Sequence, residues 1–130
     1  MKPVLDRAKR MKTKGVFLYE PTQRTKLIKE IKKSRLFLYE GSVEETFCMS
    51  VAEAQVIGLP TVVKDLGCMR ERVQDKITGH ICSNDLQFSK FVINLLKNDE
   101  DWKKLNHNSL KLENHKGWSE IAKEWKKILK

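Results

Sequence analysis

The chain predicts an α/β fold on an open parallel sheet of about four strands, and three features carry that prediction. Apolar runs alternate with segments of helical period, the runs are continuous in polarity, and glycine and proline stand where helix gives way to strand. The architecture is three-layered if terminal helices or a partner cover the second face of the sheet.

Lys2 to Met11 reads as a short helix, with Pro3 in its first turn and Val4, Ala8 and Met11 as a weak inward stripe. Gly15 ends it, and Val16-Phe17-Leu18-Tyr19 follows as a covered strand closed by Pro21. Leu27, Ile28 and Ile31 mark one face of a helix from about Gln23 to Lys33. Leu36-Phe37-Leu38-Tyr39 is the second strand. A polar loop, Glu40 to Glu45, leads into a helix from about Phe47 to Ile57, with Met49, Ala52 and Val56 at helical spacing. Gly58 is placed to stop that helix in a left-handed conformation, and Pro60 prevents its resumption. Thr61-Val62-Val63 forms the third strand. A glycine loop and a short helix at Arg70 to Val73 precede the fourth, Gly79 to Cys82.

The last third is helical. Leu86 to Leu96 and Trp102 to Leu112 carry two helices, and Trp118, Ile121, Ala122, Trp125, Ile128 and Leu129 form the stripe of a third. Core packing is the expected role of that stripe. Lys123, Lys126, Lys127 and Lys130 outside it also give the helix the look of a membrane-surface element.

A chain of 130 residues fits one domain, residues 1–130, with a modest core. No apolar stretch reaches the length of a transmembrane helix, and the basic start has no apolar run behind it, so a cytoplasmic protein is expected. Cys48, Cys68 and Cys82 lack the spacing of a zinc site or disulfide framework and read as buried, reduced thiols. No carboxylate cluster implies a metal or other resident cofactor. The net charge of +9 favours anionic partners, but the lysines are spread along the whole chain, which argues for a generally basic surface over a nucleic-acid groove.

The chemistry-bearing segment is EETFCMSVAEAQVIGLPTVV, Glu44 to Val63. It crosses from a strand through a loop into a helix, at the sheet edge where open α/β folds bind ligands. The first backbone N–H groups of that helix, near Cys48, Met49 and Ser50, lack helical acceptors and can receive a diphosphate. Glu45 and Glu53 are eight residues apart, roughly 12 Å along a helix axis. That span suits a nucleotide sugar, with Glu53 at the ribose hydroxyls and Glu45 at the sugar. It exceeds the roughly 9.5 Å limit of a hydrolytic carboxylate pair.

The same segment resembles the E-x7-E signature of the group 1 retaining glycosyltransferases of GT-B architecture. Glu45, Phe47, Glu53, Ala54, Gly58, Pro60 and Val62-Val63 fall in register with it. Gly67-Cys68-Met69-Arg70-Glu71-Arg72-Val73 resembles the family's glycine loop and following turn, and Thr78 to Ile81 its next strand. The resemblance implies a Rossmann-like, donor-binding C-terminal domain for a nucleotide-diphosphate sugar, UDP-, GDP- or ADP-linked. It gives Glu45 the contact to the transferred sugar and the catalytic role. Glu53 would hold the ribose, the amides of Phe47, Cys48 and Met49 the diphosphate, and the Gly67-Cys68 loop the donor sugar.

Two departures accompany it. Cys48 stands where many members have glycine. The chain also starts after two strands whose arginine and lysine neutralise the departing diphosphate, and an acceptor-binding domain is absent. Lys64 and Arg70 are the candidate substitute cations. A sheet in the order 1-2-3-4 would place its linking helices on one face, leaving the other for the amphipathic tail or a second subunit. The expected function is therefore a glycosyltransferase-like protein completed by an acceptor-binding partner or by homo-oligomerisation. The alternatives are a non-catalytic nucleotide-sugar-binding or structural remnant, and a basic nucleic-acid-binding protein. Carboxylates at the phosphate cradle argue against the last.

Overall fold

The computed structural model describes residues 2–112 and 117–129, so Lys130 lies outside the described residues. The chain divides into two compact units, Met1–Glu30 and Ile31–Lys130.

The first unit contains helix α1, Lys2–Arg10, a 3-10 turn at Lys12–Lys14, and most of α2, Arg24–Ile31. Gly15 closes the 3-10 turn at φ +84°, donating its N–H to the Lys12 carbonyl. Ala8 and Met11 of the expected stripe are half-buried, whereas Val4 is exposed. The expected strand Val16–Tyr19 does not form. Phe17, Leu18 and Tyr19 are exposed and the segment belongs to no sheet. An extended apolar run becomes a strand only where a neighbour takes its backbone hydrogen bonds, and a unit this short has little core to offer one.

The second unit holds a parallel sheet of three strands, β1 (Phe37–Tyr39), β2 (Thr61–Lys64) and β3 (Gly79–Cys82), in the order β1-β2-β3. The register sets Leu38 beside Val62 and Val62 beside His80. The central strand is the most deeply buried, with Thr61, Val62 and Val63 fully covered, as its β-branched composition requires.

Side chains alternate between the two faces of the sheet, and each face has its own core. On one, Val63 packs with Phe37, Tyr39 and Ile81 against Cys48, Val51, Cys68, Met69 and Val73. Those residues come from α3 (Met49–Val56), α4 (Met69–Arg72) and their flanks. On the other, Val62 and Cys82 meet Leu95 and Leu105, with Leu36, Phe88, Phe91 and Val92 around them. Leu95 belongs to α5 (Asp85–Lys97) and Leu105 to α6 (Asp99–Leu110). The second face is thus covered by the two helices that follow the last strand. Toward β1 this cover is incomplete, since Leu38 remains 47% exposed there. His80 points to this face and stacks on Phe91, ring centroids 3.9 Å apart.

Helix α7, Trp118–Ile128, differs from expectation. Its stripe is not core: Trp118 is 88% exposed, Ile128 74% and Leu129 76%, and the helix buries no residue. The earlier helices take the central part of both sheet faces, and α7 adds no buried side chain to either.

Helix ends follow local rules. Asn84 and Asn98 cap α5 and α6 through their side-chain oxygens. Gly58 turns the chain out of α3 at φ +78°, the stop foreseen from its position. All three cysteines are buried and free.

Gly79 marks the tightest approach in the sheet. A Cβ there would lie 2.2 Å from the Thr61 carbonyl oxygen, which cannot retreat without parting β2 from β3. Gly79→Ala is therefore expected to destabilise the fold by about 3 kcal/mol, the upper range for overpacking. Urea unfolding checks this, and an unchanged midpoint would contradict the strand contact.

Candidate functional site

Two loops leave the carboxyl ends of neighbouring strands, Glu40 to Cys48 after β1 and Asp65 to Cys68 after β2. They touch backbone to backbone. Gly67 sits at φ +53°, and a Cβ on it would lie 2.5 Å from the Ser42 carbonyl oxygen and 2.7 Å from that of Glu45. The Cys68 N–H then donates to the Glu45 carbonyl at 3.0 Å. Only glycine tolerates both the conformation and the contact.

Glu45 ties this junction to the sheet and to α3. Its Oε2 accepts the Tyr39 hydroxyl at 2.6 Å, and its Oε1 accepts the Cys48 N–H at 3.1 Å. The hydrogen bond to Glu45 raises the Tyr39 hydroxyl well above its usual range, with burial and the neighbouring Cys48 acting in the same direction. Each carboxylate oxygen keeps a lone pair for a further donor, such as a sugar hydroxyl.

Cys48 precedes α3 at φ +56°, ψ +75°, inside the left-handed region. This conformation costs a residue with a Cβ about 1–2 kcal/mol, and glycine would adopt it without that cost. The Cys48 thiol is buried with Val51, Cys68 and Met69, and burial raises the Cys68 thiol above its ordinary value. The N–H groups of Met49 and Ser50 have no acceptor among the described residues. They lie at the positive end of the helix dipole, where an anion is stabilised. The Cys48 amide, expected in the same cradle, is given to Glu45 instead.

Phe47 is half exposed, and the Arg72 guanidinium carbon lies 4.3 Å from its ring centroid. Met49 opens α3 and is 58% exposed. Glu53 is half-buried one turn further along the same side of α3, away from the buried Val51, Ala54 and Gln55. Glu45, Cys48, Gly67 and Cys68 are thus brought together by direct contacts, with Phe47 and Met49 adjoining them in the chain.

The two candidate substitute cations are already engaged. Lys64 lies 2.7 Å from Glu40 Oε1 and 2.6 Å from Asp85 Oδ1. Hydrogen bonds to Asp85, then Glu40, push it up to about 12. It borders a cleft of about 480 Å³ with Leu38, Phe88 and Ser89 on the α5 side of the sheet. Arg70 is paired bidentately with Asp65, which raises its already high value. Neither faces the α3 cradle as a free charge. Tyr39 and Arg72, which sequence reasoning did not single out, contact the candidate residues Glu45 and Phe47. Tyr39 read as the end of a strand and Arg72 as part of a turn, because their partners are distant in the chain or set by tertiary packing. Among the described residues no cluster of His, Cys, Asp or Glu can hold a metal ion, and no helix is long and apolar enough to cross a membrane.

A parallel sheet flanked by helices, with two loops meeting at its carboxyl edge, places the chain in the class of Rossmann-like open α/β folds. The model of the family described as glycosyl transferases group 1 matches residues 4–112. The chain belongs to that family, which is associated with nucleotide-sugar donors. Comparison with curated proteins found no match.

The Tyr39–Glu45 bond makes a pH prediction. The folded state holds the Tyr39 proton more tightly than the unfolded chain, so the stability this bond adds is complete below about pH 10 and is lost as pH rises further. In a Tyr19→Phe background, where Tyr39 is the sole tyrosine, phenolate absorbance should appear above the ordinary range. Glu45→Gln should bring it back down. Ordinary titration in both proteins would contradict the bond.

Proposed function

We propose that residues 1–130 are the donor-binding, C-terminal type of domain of a GT-B glycosyltransferase, and that it binds a nucleotide-diphosphate sugar for retaining glycosyl transfer. The diphosphate lies over the start of α3, against the N–H groups of Met49 and Ser50. Phe47 and Cys48 shape the approach, and the Gly67-Cys68 loop walls the sugar end. Glu53 holds the ribose hydroxyls. Glu45 contacts the transferred sugar and is the candidate catalytic residue. The observation carrying this reading is the backbone junction between the Gly67 loop and the Ser42–Glu45 loop. It draws the family's two motif segments around one helix start.

Retaining transfer needs the leaving diphosphate stabilised and an acceptor hydroxyl positioned beside the sugar carbon. The acceptor surface comes from a partner protein or a second copy of the chain, in the cytoplasm. A second reading, a non-catalytic nucleotide-sugar binder, is favoured by the carboxylate partners of Lys64 and Arg70. Both readings require the same cradle.

Calorimetric titration with UDP-, GDP- and ADP-sugars tests it. One of them should bind saturably, and Glu53→Ala should weaken that binding roughly 10- to 100-fold, the effect of removing a charged hydrogen-bond acceptor. No binding to any of the three would leave a structural remnant. Transfer and hydrolysis assays on the ligand that binds separate enzyme from binder, and DNA titrated in parallel tests nucleic-acid binding.

A further inference from the structure

Carboxylates account for the basic side chains flanking the carboxyl edge of the sheet, with one exception. Lys64 is held by Glu40 and Asp85, and Arg70 by Asp65. Arg35, at the opposite edge, is held by Asp99 and the Leu95 carbonyl and lies 5.5 Å from the Trp102 ring. Arg72 has no carboxylate partner among the described residues. Its guanidinium lies over the ring of Phe47, the residue directly before Cys48 and the α3 start. Its Nε is sealed from solvent without an acceptor. Its charge is also felt at the Cys68 thiol, where it opposes the upward push of burial.

The sealed Nε lies beyond the reach of a ligand, but the two terminal nitrogens of the guanidinium are open to solvent and have no partner among the described residues, so they are the donors left for one. A guanidinium presents a planar fork that matches phosphate oxygens in pairs. Stacking on Phe47 fixes the plane of that fork before any ligand arrives, which lowers the ordering cost of binding. The nearby unpartnered groups at the α3 start, the Met49 and Ser50 amides, are donors too. The guanidinium over the Phe47 ring and the amides two and three residues further along the chain are all donors, a set that suits an oxygen-rich anion.

We propose that Arg72, oriented by Phe47, is the side chain that recognises the diphosphate of the donor and supplies the positive charge that Lys64 and Arg70 do not. This rests on the reading of the α3 start as a nucleotide-sugar site. It assigns Arg72 a role that the motif register does not give it, since the position falls within a turn.

The test measures binding of UDP, GDP and ADP, and of the matching unphosphorylated nucleosides, to the full chain at two salt concentrations. Arg72→Gln should weaken diphosphate binding roughly 10- to 100-fold, leave nucleoside binding unchanged and flatten the salt dependence. Glu53→Ala should instead weaken nucleoside and diphosphate alike. Arg72→Lys keeps the charge but loses the fork, so it should recover part of the affinity and most of the salt dependence. Phe47→Leu, which keeps Arg72 but removes its platform, should cause an intermediate loss. Thermal unfolding establishes that each variant is folded. Should Arg72→Gln fail to fold, Arg72→Lys and Phe47→Leu decide the matter, and wild-type affinity in both overturns the proposal. Unchanged diphosphate affinity in folded Arg72→Gln, with binding still lost in Glu53→Ala, removes Arg72 and leaves the donor site standing. A wild-type chain that binds no nucleotide overturns both.

Discussion

The site depends on one contact, the backbone of Gly67 resting against the carbonyl oxygens of Ser42 and Glu45. Parallel strands bring their following loops to the same edge, but they do not make those loops touch. Here the absence of a single Cβ lets the β2 loop settle on the β1 loop, and the Cys68 N–H then secures it. Glu45 is held through both its backbone and its carboxylate: the carbonyl takes Cys68, and the side chain takes Tyr39 and Cys48. The start of α3 is consequently braced from the sheet and from the neighbouring loop. A helix terminus binds an anion well only if its amides are already in place, and this bracing is what holds them.

Cys48 shows the same constraint from the other side. Its left-handed backbone is forced by the entry into α3, and glycine would meet that demand without strain. The thiol offsets part of the cost by filling the core between Val51, Cys68 and Met69. Giving its amide to Glu45 offsets more, since an unpaired donor at that depth would be costly. Cysteine at this position therefore keeps the junction geometry while exchanging the backbone freedom of a glycine for a buried side chain.

The sheet and the α3 segment were legible because their signals are local. Gly58 beyond a helical stripe, β-branched Thr61 to Val63, and the run Gly79 to Cys82 each carry their own conformational reason, and the register of Glu45, Phe47 and Glu53 sits on them. Three features were not legible, each because its cause lies elsewhere in the chain. Val16–Tyr19 has a strand's composition but no pairing partner in the sheet. The α7 stripe has the period of a core helix, yet α3, α4, α5 and α6 already occupy the central part of both faces. Arg72 and Tyr39 gain their significance from Phe47 and Glu45, contacts that no periodicity announces. Periodicity reports what a segment can bury, and only the assembled fold decides whether anything is there to bury it.

Charge follows the same logic. A net charge of +9 favours anions in general, but what a bound phosphate meets is the local balance within about a Debye length, roughly 8 Å at physiological ionic strength. At the carboxyl edge that balance is set by pairing. Asp85 and Glu40 absorb Lys64, Asp65 absorbs Arg70, and Glu45 adds a carboxylate whose oxygens already hold two donors. Counting lysines therefore overstates how attractive this edge is to a polyanion such as nucleic acid. What remains at the start of α3 is compact and directional: backbone amides along a helix axis and one guanidinium fixed against a ring. On the proposed reading such an arrangement would select a small anion by geometry, whereas a polyanion is held by charge spread over a long track.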